Sequence, residues 1–194
     1  MGKKPWLLGC GGLLIAAIIM AVVFGGWAMS VNNSLVALQE QMKGSWAQVE
    51  TVLQRRYDLI PNLVATVKGY AAHEKEIFEN VARLRSQWSA AQTLPEKTKA
   101  AGEMEGALSR LLVVAENYPE LKANQNFRDL QFELSGTENR ISVERQRYNE
   151  TVQAYNTRVR QLPTSFVASL FGFHPSDAYF NAVPTAKEAP KVQF

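Results

Sequence analysis

Apolar residues from Val31 to Ala71 keep one helical phase across a proline. They run Val31, Leu35, Leu38, Met42, Trp46, Val49, Leu53, Tyr57, Ile60, Val64, Val67 and Ala71, alternating steps of three and four that line one face of an α-helix. Pro61 sits inside this stripe, in Gln54-Arg55-Arg56-Tyr57-Asp58-Leu59-Ile60-Pro61-Asn62-Leu63-Val64. Its ring meets the carbonyl of Tyr57 and it donates no hydrogen bond, which costs about 3 kcal/mol in a regular helix. The unchanged phase on both sides argues for one long helix, kinked at Pro61 and continuing to about residue 72. The rival is a first helix that ends at Pro61.

Three more helices are expected. Gly69 and His73-Glu74-Lys75-Glu76 offer a turn and a restart, with acidic side chains in the new first turn. A second helix then runs from 73 to 91 with Ile77, Phe78, Val81, Leu84 and Trp88 inward. Thr93-Leu94-Pro95 interrupts the chain, and a third helix covers 96 to 117 with Met104, Leu108, Leu111, Leu112 and Ala115 inward. Tyr118-Pro119 ends it. A fourth helix from 120 to 162 stops at Pro163. Phe127, Leu134, Ile141, Tyr148, Tyr155 and Leu162 recur every seven residues along it, and the second seam reads Gln131, Glu138, Arg145, Val152 and Val159, a heptad pattern with half of one seam polar.

Helix length discriminates between the two architectures. A first helix reaching residue 72 and the returning fourth helix match at about 43 residues each, roughly 64 Å. A first helix ending at Pro61 would be about 30 residues long, and its partner would overshoot. That alternative survives if Gly136 breaks the fourth helix, at a penalty of about 1 kcal/mol. In the matched hairpin Arg56 lies opposite Gly136 and within one turn of Glu138. Gly136 would let the backbones approach, and Gln131 or Ser135 would serve the carbonyl that Pro61 leaves without a donor.

Ahead of this body, residues 6 to 29 carry no charge. A helix of about 24 apolar residues crosses a hydrocarbon core of roughly 30 Å with some tilt. A cleaved signal peptide would have a shorter apolar region, of about 7 to 15 residues, followed by a small-residue cleavage site. Leu7-Leu8-Gly9-Cys10 mimics a lipoprotein box, but the apolar segment before the cysteine is too short. Cys10 is the only cysteine; it excludes an intrachain disulfide and reads as an inert membrane residue, with palmitoylation open. Lys3 and Lys4 precede the span, while Glu40 and Lys43 after it cancel. This bias places the N-terminus in the cytoplasm and the body outside. Ala17, Ala21 and Gly25, four apart, offer a close-packing seam for a homo-oligomer.

The domain organisation expected is a short segment over 1–5, a transmembrane helix over 6–29, a helical bundle over 30–162 and an apolar tail over 163–194 punctuated by Gly and Pro. The fold class is all-α: one N-terminal transmembrane helix and an antiparallel four-helix bundle with long first and fourth helices. A net charge of +3 is no nucleic-acid footprint.

Several segments carry a family likeness: Asn33-Ser34-Leu35-Val36, Trp46, Arg55 to Val64 with Val67-Lys68-Gly69-Tyr70, Phe127 to Leu134, Thr137 to Ile141, Arg145, Tyr148-Asn149, Tyr155-Asn156 and Gly172-Phe173. On these the chain resembles the LemA family of bacterial membrane proteins over nearly all of its soluble length. Asn32 stands where that family usually has an aromatic residue. The resemblance implies a single N-terminal span, an all-helical antiparallel bundle and no established enzymatic activity; some relatives are associated with organising membrane compartments.

Catalytic motifs are missing from the sequence. A carboxylate-bridged metal pair in a bundle needs Glu-x-x-His from two helices, but Tyr70 and Phe171 stand three residues before the two histidines, His73 and His174. His73-Glu74-Lys75-Glu76-Ile77 ends in Ile, not the His of a zinc protease. No Gly-x-Ser-x-Gly elbow or phosphate-binding glycine loop occurs. No catalytic, metal or cofactor residue is therefore assigned. The structural or interaction candidates are Arg55, Arg56, Pro61, Glu138, Arg145 and the tail residues Phe166, Leu170, Phe171 and Phe173. Arg55 reads as a solvated helix face, whereas Arg56 and Arg145 lie nearer the seam and need partners, because an unpaired buried charge is costly. The first functional reading is a non-enzymatic scaffold that organises other membrane proteins; the alternative is a sensor ectodomain acting through a partner span, and an enzyme ranks third.

Overall fold

The computed structural model describes residues 5–180, with side chains from residue 12, and is all helical over that range. Lys3, Lys4, the side chain of Cys10 and the tail from residue 181 onward lie outside the described residues. Six helices are present among the described residues: α1 (Pro5–Lys68), α2 (Lys75–Ala90), α3 (Leu94–Glu116), α4 (Pro119–Ala123), α5 (Gln125–Arg160) and α6 (Thr164–Leu170). The expected transmembrane helix and first bundle helix are one element, which continues through Pro61.

Some expectations about the helices are corrected. The expected fourth helix divides at Asn124, whose side-chain carbonyl accepts from the Phe127 amide at 3.1 Å and starts α5 as a cap. α5 stops at Arg160, so Leu162 is exposed and not part of the seam. The second helix starts at Lys75 rather than His73. The third starts before Pro95, not after it, because a proline in the first helical turn has no bond to lose. Thr93 caps that helix in a reciprocal box with Glu96, whose carboxylate accepts from the Thr93 and Gln92 amides at 3.1 Å each. Those amide bonds, with the Thr93 hydroxyl, hold the Glu96 carboxyl below its usual range.

The chain falls into two compact units, one from Met1–Lys43 and Thr151–Ser176, the other from Gly44–Glu150 and Asp177–Phe194. In the first unit, Val31 and Leu35 of α1 are buried with Tyr155 and Val159 of α5 and with Val167 and Ala168 of α6. Trp27, Ala28, Leu38 and Phe173 pack around them. Before Trp27 the helix has no cover: residues 12–26 are exposed throughout. Its length and composition suffice to cross a membrane.

α6 ends in a Schellman turn. The Phe173 amide donates to Ala168 O at 2.9 Å and the Gly172 amide to Ser169 O at 3.3 Å, with Gly172 at φ 78°. That left-handed backbone suits glycine, and the residue after it characteristically folds back on an apolar neighbour, as Phe173 does. The expected tail over 163–194 is therefore structured at its start.

The second unit buries Val49, Leu53, Tyr57, Ile60, Leu63, Val67 and Ala71 from the first-helix stripe and the turn that follows it. Leu63 is in and Val64 only half-buried, the reverse of the expected order. Facing them are Phe78, Val81, Leu84 and Trp88 of α2, Met104, Leu108, Leu111 and Ala115 of α3, Leu121 of α4, and Phe127, Leu134, Ile141 and Tyr148 of α5. Small residues help α3 approach: Ala100, Ala101 and Ala107 are buried too. Gly136 lies on an open face, where an added Cβ would meet nothing within 4 Å, so the expected close backbone approach does not occur there. Ser135 gives its hydroxyl to Gln131 O at 2.9 Å within α5, not to the carbonyl freed by Pro61.

Candidate functional site

Polar side chains enter the second unit where the α5 seam departs from apolar residues. Arg56 of α1 is ion-paired with Glu138, and its side chain is only 11% exposed against 36% for its partner. One heptad further, Arg145 pairs with Glu105 of α3 at 3.3 Å. The Nε of each arginine is buried and has no hydrogen-bond partner. Both guanidiniums are thus held by single carboxylates, without the full fork of bonds that arginine can make. Arg55, by contrast, meets Glu133 at 3.2 Å on the surface, and both side chains are about half exposed. Pro61 is exposed.

Aromatic residues close round this charged pair of arginines. Tyr57 stacks on Trp88 with ring centroids 4.7 Å apart, and its hydroxyl points to Ala100 O at 3.5 Å. Burial drives the Tyr57 hydroxyl well above the usual phenol range, with Arg56 and then Arg145 pulling the other way. It keeps its proton at any physiological pH. Lys97 lies 5.7 Å from the Trp88 ring and pairs with Glu50 of α1.

The Arg145 guanidinium also lies over Phe180, 5.2 Å from the ring centroid. Phe180 stacks on Trp46 at 5.6 Å and meets Tyr148 edge-on at 5.7 Å. Asn149 fixes the backbone of the same residue: its amide donates to Phe180 O at 3.0 Å and its carbonyl accepts from the Phe180 amide at 2.9 Å. A primary amide has the donor and acceptor of a peptide group, so it pairs with extended backbone as a neighbouring strand would. Burial pushes the Tyr148 hydroxyl up to about 12.

The first unit repeats the device seven residues on. Asn156 donates to Ser176 O and accepts from the Ser176 amide, both at 2.7 Å, while the Tyr155 hydroxyl donates to His174 O at 3.0 Å. These two asparagines entered the sequence reading only as part of the family likeness and were not among the interaction candidates. The signal was present, however, in the Tyr-Asn pairs 148-149 and 155-156, where a polar residue follows a buried one at the same heptad position.

The remaining candidates sort by face. Phe166, Leu170 and Phe171 are exposed on or beside α6, and Phe173 is half-buried in the first-unit cluster. Ala17, Ala21 and Gly25 are exposed, and a Cβ added at Gly25 would meet nothing within 4 Å. Among the described residues, no group of three or more His, Cys, Asp or Glu side chains converges. The arrangement grips backbone and aromatic rings.

The LemA family profile matches residues 45–194, a range that includes every residue of the arginine and Asn149 sites. Magnetosome protein MamQ 2 of Paramagnetospirillum magneticum is 26% identical over 94% of this chain and 77% of its own length. Magnetosome protein MamQ of Magnetospirillum gryphiswaldense is 24% identical over 95% and 75%. Protein LemA of Metamycoplasma hominis is 23% identical over 83% and 72%.

Proposed function

Because the chain belongs to the LemA family, we propose that it is a membrane-anchored, non-enzymatic scaffold whose helical body organises other membrane proteins. The observation that carries this reading is the first part of α1, where residues 12–26 expose Leu13, Ile15, Ile18, Val22 and Phe24 with no protein cover and no charge. A patch of that size in water marks a contact surface, and its length fits a bilayer. The magnetosome names of two relatives support a place at a membrane. The body contributes paired charges and clamped backbone rather than reactive groups, which favours recruitment over catalysis. Lys3 and Lys4 would hold the N-terminus in the cytoplasm, and the small residues Ala17, Ala21 and Gly25 would let a second copy pack closely in the bilayer.

Two measurements test the proposal. The protein should stay in the membrane pellet after an alkaline carbonate wash, and a detergent-solubilised pull-down with mass spectrometry should return a stable set of membrane proteins. Release by carbonate would remove the anchor, and recovery of the protein without partners would remove the scaffold.

A further inference from the structure

α6 lies where the first unit turns round. α5 ends at Arg160, α6 follows over Thr164–Leu170, and by residues 174–176 the chain is back beside Tyr155 and Asn156. Thr164, Val167 and Ala168 are buried, and Val167 and Ala168 join a cluster with Val31 of α1, against which Trp27 and Ala28 pack. α6 is therefore level with the end of the apolar run, which stops at Met29 and gives way to Ser30, Asn32, Asn33 and Ser34. A residue belonging at that depth faces the headgroup region, where tryptophans such as Trp27 concentrate.

The outward face of α6 has the composition of an interfacial helix. Phe166 and Leu170 are one turn apart, opposite the buried stripe, and are 72% and 77% exposed. Leu162 just before the helix and Phe171 at its end are exposed as well. In water, four uncovered large apolar side chains at one end of a hairpin would be unfavourable by their unburied area. The last turn of α5 adds Arg158 and Arg160, cations of the sign that anionic headgroups attract. The Schellman turn at Gly172 and the Tyr155 and Asn156 bonds to the following backbone hold the helix in this position.

We propose that α6 is a second membrane contact, an interfacial foot that inserts Phe166 and Leu170 into the headgroup and acyl boundary beside the span, with Leu162 and Phe171 at its ends. This rests on the reading of α1 as a span. The foot sets the height and tilt of the first unit against the bilayer, since a single helix alone leaves both free. An amphipathic segment of this kind lies in the interface plane with its apolar face a few ångströms deep.

The test uses the full chain with Cys10→Ser, reconstituted in vesicles of phosphatidylcholine and phosphatidylglycerol. An environment-sensitive fluorophore is attached in turn to Phe166→Cys, Leu170→Cys, Ile18→Cys and Gln153→Cys. Expected are blue-shifted emission at 166 and 170, quenched by lipids carrying a shallow nitroxide, and water-like emission at 153. The probe at 18 should be quenched by deep nitroxides. If 18 responds and 166 and 170 behave like 153, the foot is wrong and the span stands. If 18 fails as well, the span itself is wrong. Shielding of 166 and 170 from aqueous iodide without lipid quenching would mean that a protein covers α6, and would overturn the proposal too.

Discussion

Removing the two ends of the Arg56–Glu138 pair should have unequal effects. Glu138→Leu leaves a guanidinium that is 11% exposed, already short of a partner at Nε, with no counter-charge. Breaking a fully buried pair from one side costs about 3 to 5 kcal/mol; discounted for the partial exposure of Glu138, the expected loss is about 2 to 3 kcal/mol. Arg56→Met leaves a carboxylate that is 36% exposed and can turn to water, so about 1 to 2 kcal/mol is expected, mostly from lost packing of the long side chain. The double variant removes both charges and should lose no more than Glu138→Leu alone, which amounts to a coupling on the order of 1 to 2 kcal/mol. The assay is urea unfolding of the full chain in detergent micelles, followed by far-UV circular dichroism, with all four proteins compared at the same detergent concentration. Additive effects within about 0.5 kcal/mol, or a greater loss from Arg56→Met than from Glu138→Leu, would refute the argument from asymmetric burial.

Three further outcomes are expected. Tyr148→Phe should flatten the alkaline loss of stability: a hydroxyl whose folded-state pKa is raised to about 12 keeps its proton in the folded state while the unfolded chain loses it from about pH 10, so stability is intact below pH 10 and falls between 10 and 12. Unfolding midpoints across that interval should decline less in the variant, and an identical decline would remove Tyr148 from the account. Asn149→Leu fills similar space but cannot hold the Phe180 backbone, so limited proteolysis should cut near residues 177–180 faster than in the parent, while unchanged cutting would show that the aromatic contacts suffice. Thr93→Ala removes one half of the capping box and should destabilise by about 1 kcal/mol, read as an earlier urea midpoint; no shift would mean that Pro95 and Glu96 start α3 unaided.

The chain's regular features were determined by its local pattern. Steps of three and four from Val31 onward require a helical face whatever lies opposite, and α1 accordingly continues through Pro61, because packing of Ile60, Leu63 and Val67 outweighs one missing hydrogen bond. The heptad of Phe127, Leu134, Ile141, Tyr148 and Tyr155 is buried for the same reason, and Arg56 was drawn toward Glu138 by antiparallel register and the cost of an unpaired charge. Tertiary structure decided what periodicity does not encode. Asn124 could continue a helix by its local pattern, but it caps one, and its side-chain amide donates to the Tyr70 hydroxyl 54 residues away at 3.0 Å. Gly136 was free to serve a close approach, but its face has no neighbour. Asn149 and Asn156 look like ordinary solvated seam neighbours until the chain returns to lay Phe180 and Ser176 against them. Those contacts join residues 20 and 31 positions apart, so a repeating local pattern can place the amide on the helix but cannot say which backbone will come to meet it.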